Sequence, residues 1–372
     1  MSNLYQWQKI SRVLSGLPFG NGSDGSYSSA TIPTLVKDSC SGTATSKTFV
    51  TSGSTFSNGD IILIHQTRGT GVGQWEINRV ASGGGSTSLT LQVASNYTYT
   101  DSGASQAQAI KILQYTYCTV QSGTWTVPAW DGNVGGVAPF AIKGTLTVTG
   151  TISGIGKGYL KTTQGGEYSG EGTSGAEGFR VRQNGNGGGG GYDYGGGGGL
   201  HKHGGGGGGN GGAGGDGGYS DGATSSAYGG TTSGAADLTN ITFGGAGGVA
   251  VSDGGSGSGG GGGMVIIFAK NVTGAGAITL TGTAAGEGGA NGGHGGGAGG
   301  SALFVTATAN LSSITITALG AAGSDAASAD GGDGGTGRIA VHHSGAVTGT
   351  TNPTFTDVTD GTLVENVGGY MM

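Results

Sequence analysis

Short runs of alternating hydrophobic and polar residues occupy the first 160 residues of the chain and predict β-strands. Each run is bounded by glycine or by small polar residues, which favour turns. After residue 16 no long segment shows the spacing of an amphipathic helix. The pattern therefore predicts an N-terminal β-domain over residues 21–136. Its predicted strands lie within residues 59–67, 73–80, 86–94 and 108–120, and a further β-rich segment follows over residues 141–158.

The first 20 residues form a separate segment with a different pattern. Leu4, Trp7, Ile10 and Leu14 share one face when they are placed on a helix. The segment is interpreted either as a short helix that packs on its own domain or as a docking helix that fixes the chain to a larger assembly.

The C-terminal part contains an internal repeat. Units begin at Gly259, Gly295 and Gly331, each 36 residues after the last. Each unit has a glycine run, a strand, a turn and a second strand, and a fixed period of this kind indicates stacked units. The 36-residue step aligns Ile267 with Leu303 and Ile339, Ala269 with Val305 and Val341, Ile278 with Ile314, and Leu280 with Ile316.

Glycine dominates the region between the two parts. It makes up 93 of 372 residues overall and 22 of the 32 residues from 187 to 218. A flexible linker would have no reason to keep a fixed repeat, so we expect the glycine runs to be ordered. Glycine can adopt the polyproline II conformation, and such helices can bond to one another through the backbone when no side chain separates them.

These patterns together predict the fold class. We expect an all-β protein with an N-terminal β-domain followed by a glycine-rich β-solenoid with packed polyglycine II helices. The glycine-rich domain is expected to span 137–343, with repeats over 259–343, and a C-terminal tail is expected over 344–372.

Charge and hydropathy exclude several classes of partner. Charged residues are 10% of the chain and the net charge is -6, which argues against nucleic-acid binding. The longest apolar run, Met264 to Ala269, is too short to cross a bilayer, so membrane insertion is not expected. The N-terminal segment has no apolar core typical of a secretory signal.

The cysteines and histidines do not form a recognisable metal or disulfide motif. Cys40 and Cys118 are expected to be reduced and buried, although a single bridge between them stays open. Residues 211–219 resemble a calcium-binding nonapeptide but lack its large apolar residue and a tandem copy. His201 and His203 have no evident third ligand. We therefore expect no metal, no cofactor and no enzymatic activity.

Large side chains within the glycine stretch are the candidate binding residues. On exposed loops they could stack on and hydrogen bond a sugar or a protein receptor. The alternative is that they cover the ends of the glycine runs, as exposed loop residues with no ligand. The candidates are Tyr192, Asp193, Tyr194, His201, Lys202, His203, Tyr219 and Tyr228.

The glycine stretch resembles the receptor-binding adhesins at the long tail-fibre tips of some T-even-like phages. The resemblance rests on the character of "GGGGGYDYGGGGGLHKHGGGGGG" and covers about residues 165 to 260. Residues 55 to 343 also resemble large glycine-rich surface proteins of bacteria and their phages, through "GDIILIHQTRGTGVGQWEINRV", "GTLTVTGTISGIGKGYL" and the repeat units.

These resemblances imply a non-enzymatic phage tail fibre or tail-tip adhesin in the virion or the extracellular space. Its expected partners are a host surface glycan or outer-membrane protein, together with other virion proteins or copies of itself. A self-assembling subunit of an extracellular fibre is the alternative. An ice-binding protein and a polysaccharide depolymerase are weaker alternatives, because the tyrosine loops do not suit the first and no carboxylate pair is evident for the second.

Overall fold

The computed structural model describes residues 18–162, 168–176, 178, 182–191, 203–220, 227–250, 257–288 and 292–363. Regular secondary structure in these ranges is entirely β, which confirms the predicted all-β class. The expected docking helix, with Leu4, Trp7, Ile10 and Leu14, lies outside the described residues.

Nineteen strands are present in the described residues, and they form a closed barrel and two parallel sheets. In chain order they are β1 Tyr27–Ser29, β2 Lys37–Gly42, β3 Thr48–Thr51, β4 Ile61–Arg68, β5 Trp75–Ser82, β6 Ser88–Leu91, β7 Gln106–Lys111, β8 Leu113–Tyr115, β9 Cys118–Val120, β10 Thr124–Thr126, β11 Val137–Val148, β12 Thr151–Ser153, β13 Met264–Gly274, β14 Ala277–Thr279, β15 Ser301–Asn310, β16 Thr315–Thr317, β17 Arg338–His343, β18 Val347–Thr348 and β19 Thr356–Thr359.

The barrel is antiparallel and has the closed order β2-β3-β6-β5-β4-β7. Strands β4, β5 and β6 confirm three of the strands predicted from alternation. Every residue of β4 is buried, because the strand contributes to two hydrophobic clusters. Ile62 and Ile64 belong to the smaller cluster formed by barrel residues, whereas Ile61 and Leu63 belong to the larger cluster shared with the rest of the molecule.

The two remaining sheets are parallel throughout. The larger sheet follows the order β1-β9-β11-β13-β15-β17-β19, with β8 on β11 and β18 on β15, and the smaller follows β10-β12-β14-β16. The single strand predicted over residues 108–120 is three strands: β7 closes the barrel, while β8 and β9 pair with β11. The alternation changes phase at Ile112–Leu113 and again at Tyr117–Cys118, close to both breaks, and the single predicted strand overlooked these two shifts.

The pairing of the repeat strands corrects the 36-residue alignment. Ile267 lies opposite Phe304, and Phe304 lies opposite Val341, so neighbouring strands are related by a step of 37. In the smaller sheet the step is 38, since Ile278 lies opposite Ile316. Both faces of β13 are buried from Met264 to Ala269, so burial leaves no alternation from which the register could be read.

Strands near the expected domain boundary belong to one sheet. β8 and β9 precede residue 137 and pair with β11, which begins at Val137. Near the C-terminal end, β18 and β19 pair with β15 and β17. The domain limits given above stay predictions.

The glycine runs are buried and bond to several neighbours at once. Within residues 204–209, the N–H groups of Gly204 and Gly207 donate to the carbonyl oxygens of Gly218 and Gly215. Those of Gly205 and Gly208 donate to Gly293 and Gly296, and those of Gly206 and Gly209 donate to Gly189 and Asn186. The partner segment therefore repeats every three residues. Residues 244–249 show the same step, with donations to residues 257–262, 206–209 and 168–171.

Backbone contact explains why these residues are glycine. A Cβ added at Gly207 would overlap the carbonyl oxygen of Asp333, and one added at Gly248 would overlap that of Gly189. At Gly297 and Gly334 it would overlap a carbonyl of the adjacent unit. At these positions the backbones pack at distances that a side chain would prevent, so glycine is required there.

Candidate binding site

The glycine runs have two ends with different residues, and asparagine amides close the first. The Nδ2 of Asn210 donates to the carbonyl oxygen of Gly299 at 2.8 Å, and the Nδ2 of Asn186 donates to that of Phe243 at 2.9 Å. The Oδ1 of Asn210 accepts from Thr242 Oγ1 at 3.1 Å. These buried side chains satisfy backbone groups where the glycine runs stop.

The opposite end carries exposed aromatic rings, and we call it the tyrosine end. It is defined by Gly191, His203, Tyr219, Tyr228 and Ala250. A Cβ on Gly191 would touch both His203 and Ala250, and His203 pairs with Tyr219 through an isolated bridge. The residues that flank segments 192–202, 221–226 and 251–256 therefore come together at this end of the molecule.

Two of the predicted binding residues are exposed there. The exposed fraction of the side chain is 57% for Tyr219 and 49% for Tyr228. The carbonyl oxygen of Tyr228 accepts from Gly189 N–H at 2.8 Å, which fixes its backbone to the glycine runs. Both tyrosines thus present a large ring to solvent from a bonded backbone.

His203 does not match the expectation of an exposed loop residue. Only 4% of it is exposed, and it begins a buried glycine run. Its backbone lies among Gly191, Ala250 and Gly292, which leave no room for an outward loop at this position. Tyr192, Asp193, Tyr194, His201 and Lys202 lie outside the described residues.

Tyr168 is an exposed tyrosine that the sequence reasoning missed. It is 39% exposed, and its carbonyl oxygen accepts from Val249 N–H at 2.9 Å, next to Ala250 of the tyrosine end. The available signal was the same as for Tyr219, a single large side chain at the edge of a glycine-rich segment.

His294 lies below the tyrosine end and is fully buried. Its Nδ1 accepts from Ala250 N–H at 3.1 Å, so the ring proton is on Nε2. Within the described part of the chain, Nε2 has no hydrogen-bond partner. Burial lowers the pKa of His294 below its usual value.

A second polar feature joins the barrel to the glycine region. Arg68, at the end of β4, forms a buried ion pair with Glu171. Trp130 Nε1 donates to both carboxylate oxygens at 3.1 Å, and Leu160 N–H donates to Oε2 at 2.8 Å. The Nε of Arg68 donates to the carbonyl oxygen of Ala104 at 3.0 Å.

The geometry of this pair is typical of a structural ion pair rather than of a reactive group. Burial raises the pKa of Glu171, while the Leu160 N–H, Trp130 and Arg68 oppose that rise. A groove of about 360 Å³ adjoins the pair, lined by Arg68, Gly132, Asn133, Leu160, Lys161, Glu171 and Ala176. Because both carboxylate oxygens already accept bonds from the protein, the carboxylate is held in place from several sides.

A buried histidine makes a second connection between the barrel and the segment that precedes residue 244. His65 Nε2 lies 2.9 Å from the carbonyl oxygen of Ile241, so this nitrogen carries the proton. Its Nδ1 then accepts from Thr67 Oγ1 at 2.9 Å, and that hydroxyl accepts from Gln108 Nε2. Desolvation lowers the pKa of His65 to about 4.

Both cysteines are free and buried, as expected, and they lie in different clusters. Cys40 is in the barrel cluster and Cys118 in the larger one. Burial raises the pKa of both thiols, that of Cys118 to about 12. They are therefore unreactive core residues at neutral pH.

The described residues contain no group of metal ligands and no membrane-spanning helix. In the residues that the structure describes, no three His, Cys, Asp or Glu side chains are grouped as ligands for a metal ion. The same ranges contain no helix with the length and apolar character needed to cross a membrane. No family model, no curated protein and no solved structure matches the chain.

Proposed function

We propose that the protein is a non-enzymatic adhesin of a phage tail fibre or tail tip, which binds a host cell-surface receptor through the tyrosine end. The observation that carries the proposal is the exposure of Tyr168, Tyr219 and Tyr228 on backbone fixed to one end of the glycine runs. Tyrosine offers a large amphipathic surface at low entropic cost, which suits recognition of sugars and proteins.

The rest of the fold supports this role. The barrel and the sheets share one hydrophobic cluster, so the tyrosine end is attached to a continuous body. A rigid scaffold that presents loops is a common binding architecture. Tyr192, Asp193, Tyr194, His201 and Lys202 belong to one of the segments whose flanks meet there, and they remain proposed contact residues.

We also propose that the glycine runs are packed polyglycine II helices and that the parallel sheets form a β-solenoid. The three-residue step of the hydrogen-bond partners supports the first part, because polyproline II has three residues per turn. Successive repeat units in both parallel sheets support the second part. Backbone angles of residues 204–209 measured by NMR test the first part: φ near about −75° and ψ near about +145° are expected, and extended β values would contradict it.

The adhesin proposal is tested by binding of fluorescently labelled full-length protein to a panel of Gram-negative cells. We expect saturable binding to at least one strain and its loss in the triple variant Tyr168→Ala/Tyr219→Ala/Tyr228→Ala. Val50→Ala is the matched control, because Val50 is 46% exposed on the barrel.

Equal binding by the triple variant and the wild type would overturn the role of the tyrosine end. Binding to no strain of the panel would count against the adhesin itself. Thermal unfolding of each variant is recorded in parallel, so that a loss of binding is interpreted only for folded protein.

A further inference from the structure

A groove on the side of the large parallel sheet has the composition of a ligand site. Its volume is about 400 Å³, and we call it the lysine groove. This size is within the range of sites for small ligands. It is lined by Thr116, Tyr117, Lys143, Gly144, Thr145, Lys270 and Asn271.

A β-bulge builds the groove. Ile142 pairs with Ala269 and Thr145 pairs with Asn271, so two residues of β11, Lys143 and Gly144, face the single residue Lys270 of β13. Bulges interrupt the ladder and redirect side chains. The lysines from the two strands therefore line the same groove.

The ring of Tyr117 packs against the backbone of this bulge. A Cβ on Gly144 would lie 2.5 Å from Tyr117 Cε1, so the ring packs directly against the glycine backbone. Gly144 N–H also donates to the carbonyl oxygen of Thr116 at 2.9 Å, which holds the two segments together. Tyr117 is nevertheless 57% exposed. An aromatic ring that is fixed at its base and open above provides a stacking surface.

The charge of the groove is opposite to that of the chain. The chain has a net charge of -6. The lining residues that the structure describes include two lysines and no carboxylate. Asn271 Oδ1 accepts from Thr308 Oγ1 at 2.8 Å, which orients the amide and leaves Nδ2 as a donor. Cationic and amide donors beside an exposed ring match a ligand that has both an anionic group and an apolar face.

We propose that the lysine groove binds an anionic saccharide. The apolar face of one sugar ring stacks on Tyr117, and its carboxylate or phosphate group lies between Lys143 and Lys270. Asn271 donates to a ring hydroxyl. This site uses residues of the parallel sheet and none of the tyrosine end, so it goes beyond the proposed function and does not depend on it.

The test is isothermal titration of the full-length protein with two pairs of probes. Trigalacturonic acid is compared with its fully methyl-esterified form, and glucose 6-phosphate is compared with glucose. We expect the acidic member of at least one pair to bind in about the millimolar range or tighter and its neutral partner to bind at least about tenfold more weakly. The pair that discriminates identifies carboxylate or phosphate as the anionic group.

Variants then assign the binding to the groove. Tyr117→Ala and the double variant Lys143→Gln/Lys270→Gln are each expected to weaken binding of the acidic probe at least about tenfold. Lys47→Gln, at an exposed lysine of the barrel, is the charge control and is expected to bind like the wild type. Val50→Ala, at an exposed apolar side chain of the barrel, is the control for the loss of an exposed apolar group and is expected to bind like the wild type.

Several outcomes would overturn the proposal. They are equal affinity for acidic and neutral probes, no binding of either acidic probe at concentrations well above the millimolar range, and full binding by Tyr117→Ala. If the groove variants lose saccharide binding but retain cell binding, the tyrosine-end proposal stays intact. If the tyrosine-end variant loses cell binding but retains saccharide binding, the lysine-groove proposal stays intact.

Discussion

Gly260 and Gly261 are neighbours in one glycine run, and only one of them has room for a side chain. A Cβ on Gly261 would overlap the carbonyl oxygen of Gly244. The nearest atoms to a Cβ on Gly260 are at 3.7 Å. The two positions therefore separate the effect of close backbone packing from the general effect of replacing glycine.

We expect Gly261→Ala to lower the free energy of unfolding by about 1–3 kcal/mol or more, because the backbones must move apart. Gly260→Ala is the matched control, and we expect it to change stability by less than about 1 kcal/mol, with a gain if the lower entropy of the unfolded chain dominates. Urea unfolding measures both. Similar losses in the two variants would contradict the packing explanation.

His65 is expected to make stability depend on pH. Its pKa is about 4 in the folded protein against 6.5 ordinarily. Below about pH 6.5, His65 takes up a proton in the unfolded chain but stays neutral in the folded chain. The contribution of His65 to the free energy of unfolding is therefore complete above about pH 6.5 and is lost as the pH falls toward 4. A difference of about 2.5 in pKa corresponds to about 3 kcal/mol.

The measurement is the free energy of unfolding at several values between pH 7 and pH 4, for wild type and His65→Gln. Burial also lowers the pKa of His294 and His342, so the wild-type slope has more than one source. The variant isolates the share of His65, and its stability should fall less steeply. Parallel curves for the two proteins would refute the assignment.

At the scale of elements, the Arg68–Glu171 pair joins β4 to the segment that begins the glycine region. Removing one partner leaves a buried charge without its counter-ion, so Glu171→Gln is expected to cost about 3–5 kcal/mol. The double variant Arg68→Met/Glu171→Gln is expected to be more stable than Glu171→Gln alone. A double-mutant cycle by urea unfolding measures the coupling, and additive losses would show that the pair is not coupled.

The glycine runs should behave as ordered elements in hydrogen exchange. The amides of Gly204 to Gly209 donate to backbone carbonyls in a buried environment, so we expect protection similar to that of β13. Exchange followed by NMR resolves the individual residues. Rapid exchange of residues 204–209 under conditions in which β13 is protected would show that the runs open independently of the sheet.

Part of this arrangement could be predicted from the sequence. Alternation and turn residues located β4, β5 and β6, because local signals bound each of these strands. The register of β13 and β15 could not be read, since strands buried on both faces have no alternating pattern. The ion pair was also missed, because Arg68 and Glu171 are 103 residues apart and neither belongs to a local motif.

The candidate binding site could likewise be predicted only where local sequence signals exist. Tyr219 and Tyr228 are exposed, as expected for large side chains on loops of the glycine stretch, and their role in binding stays a prediction. The prediction that His203 is exposed was wrong, because its burial depends on Gly191, Ala250 and Gly292, which belong to other segments of the chain. The lysine groove depends on a bulge between β11 and β13, which no single-strand pattern can reveal.

For the whole molecule, the shared hydrophobic cluster predicts cooperative unfolding. Ile61 and Leu63 of the barrel pack in the same cluster as β13 and β15, so the barrel would expose apolar surface if it separated. We expect one calorimetric transition, and we expect Leu63→Ala to shift all of it, at a cost of about 2–5 kcal/mol. Two resolved transitions, only one of which responds to Leu63→Ala, would show that the barrel unfolds alone.

The three-neighbour contacts of the glycine runs also limit how the protein can change during evolution. Almost any change in the first two bases of a glycine codon adds a side chain, and at positions such as Gly261 that side chain meets the backbone of another segment. Among the described glycines, positions such as Gly260 leave room for a Cβ and can accept a substitution. On the proposed function, a new host range would arise by changes at exposed positions such as Tyr219 and Tyr228, while the packed glycines stay unchanged.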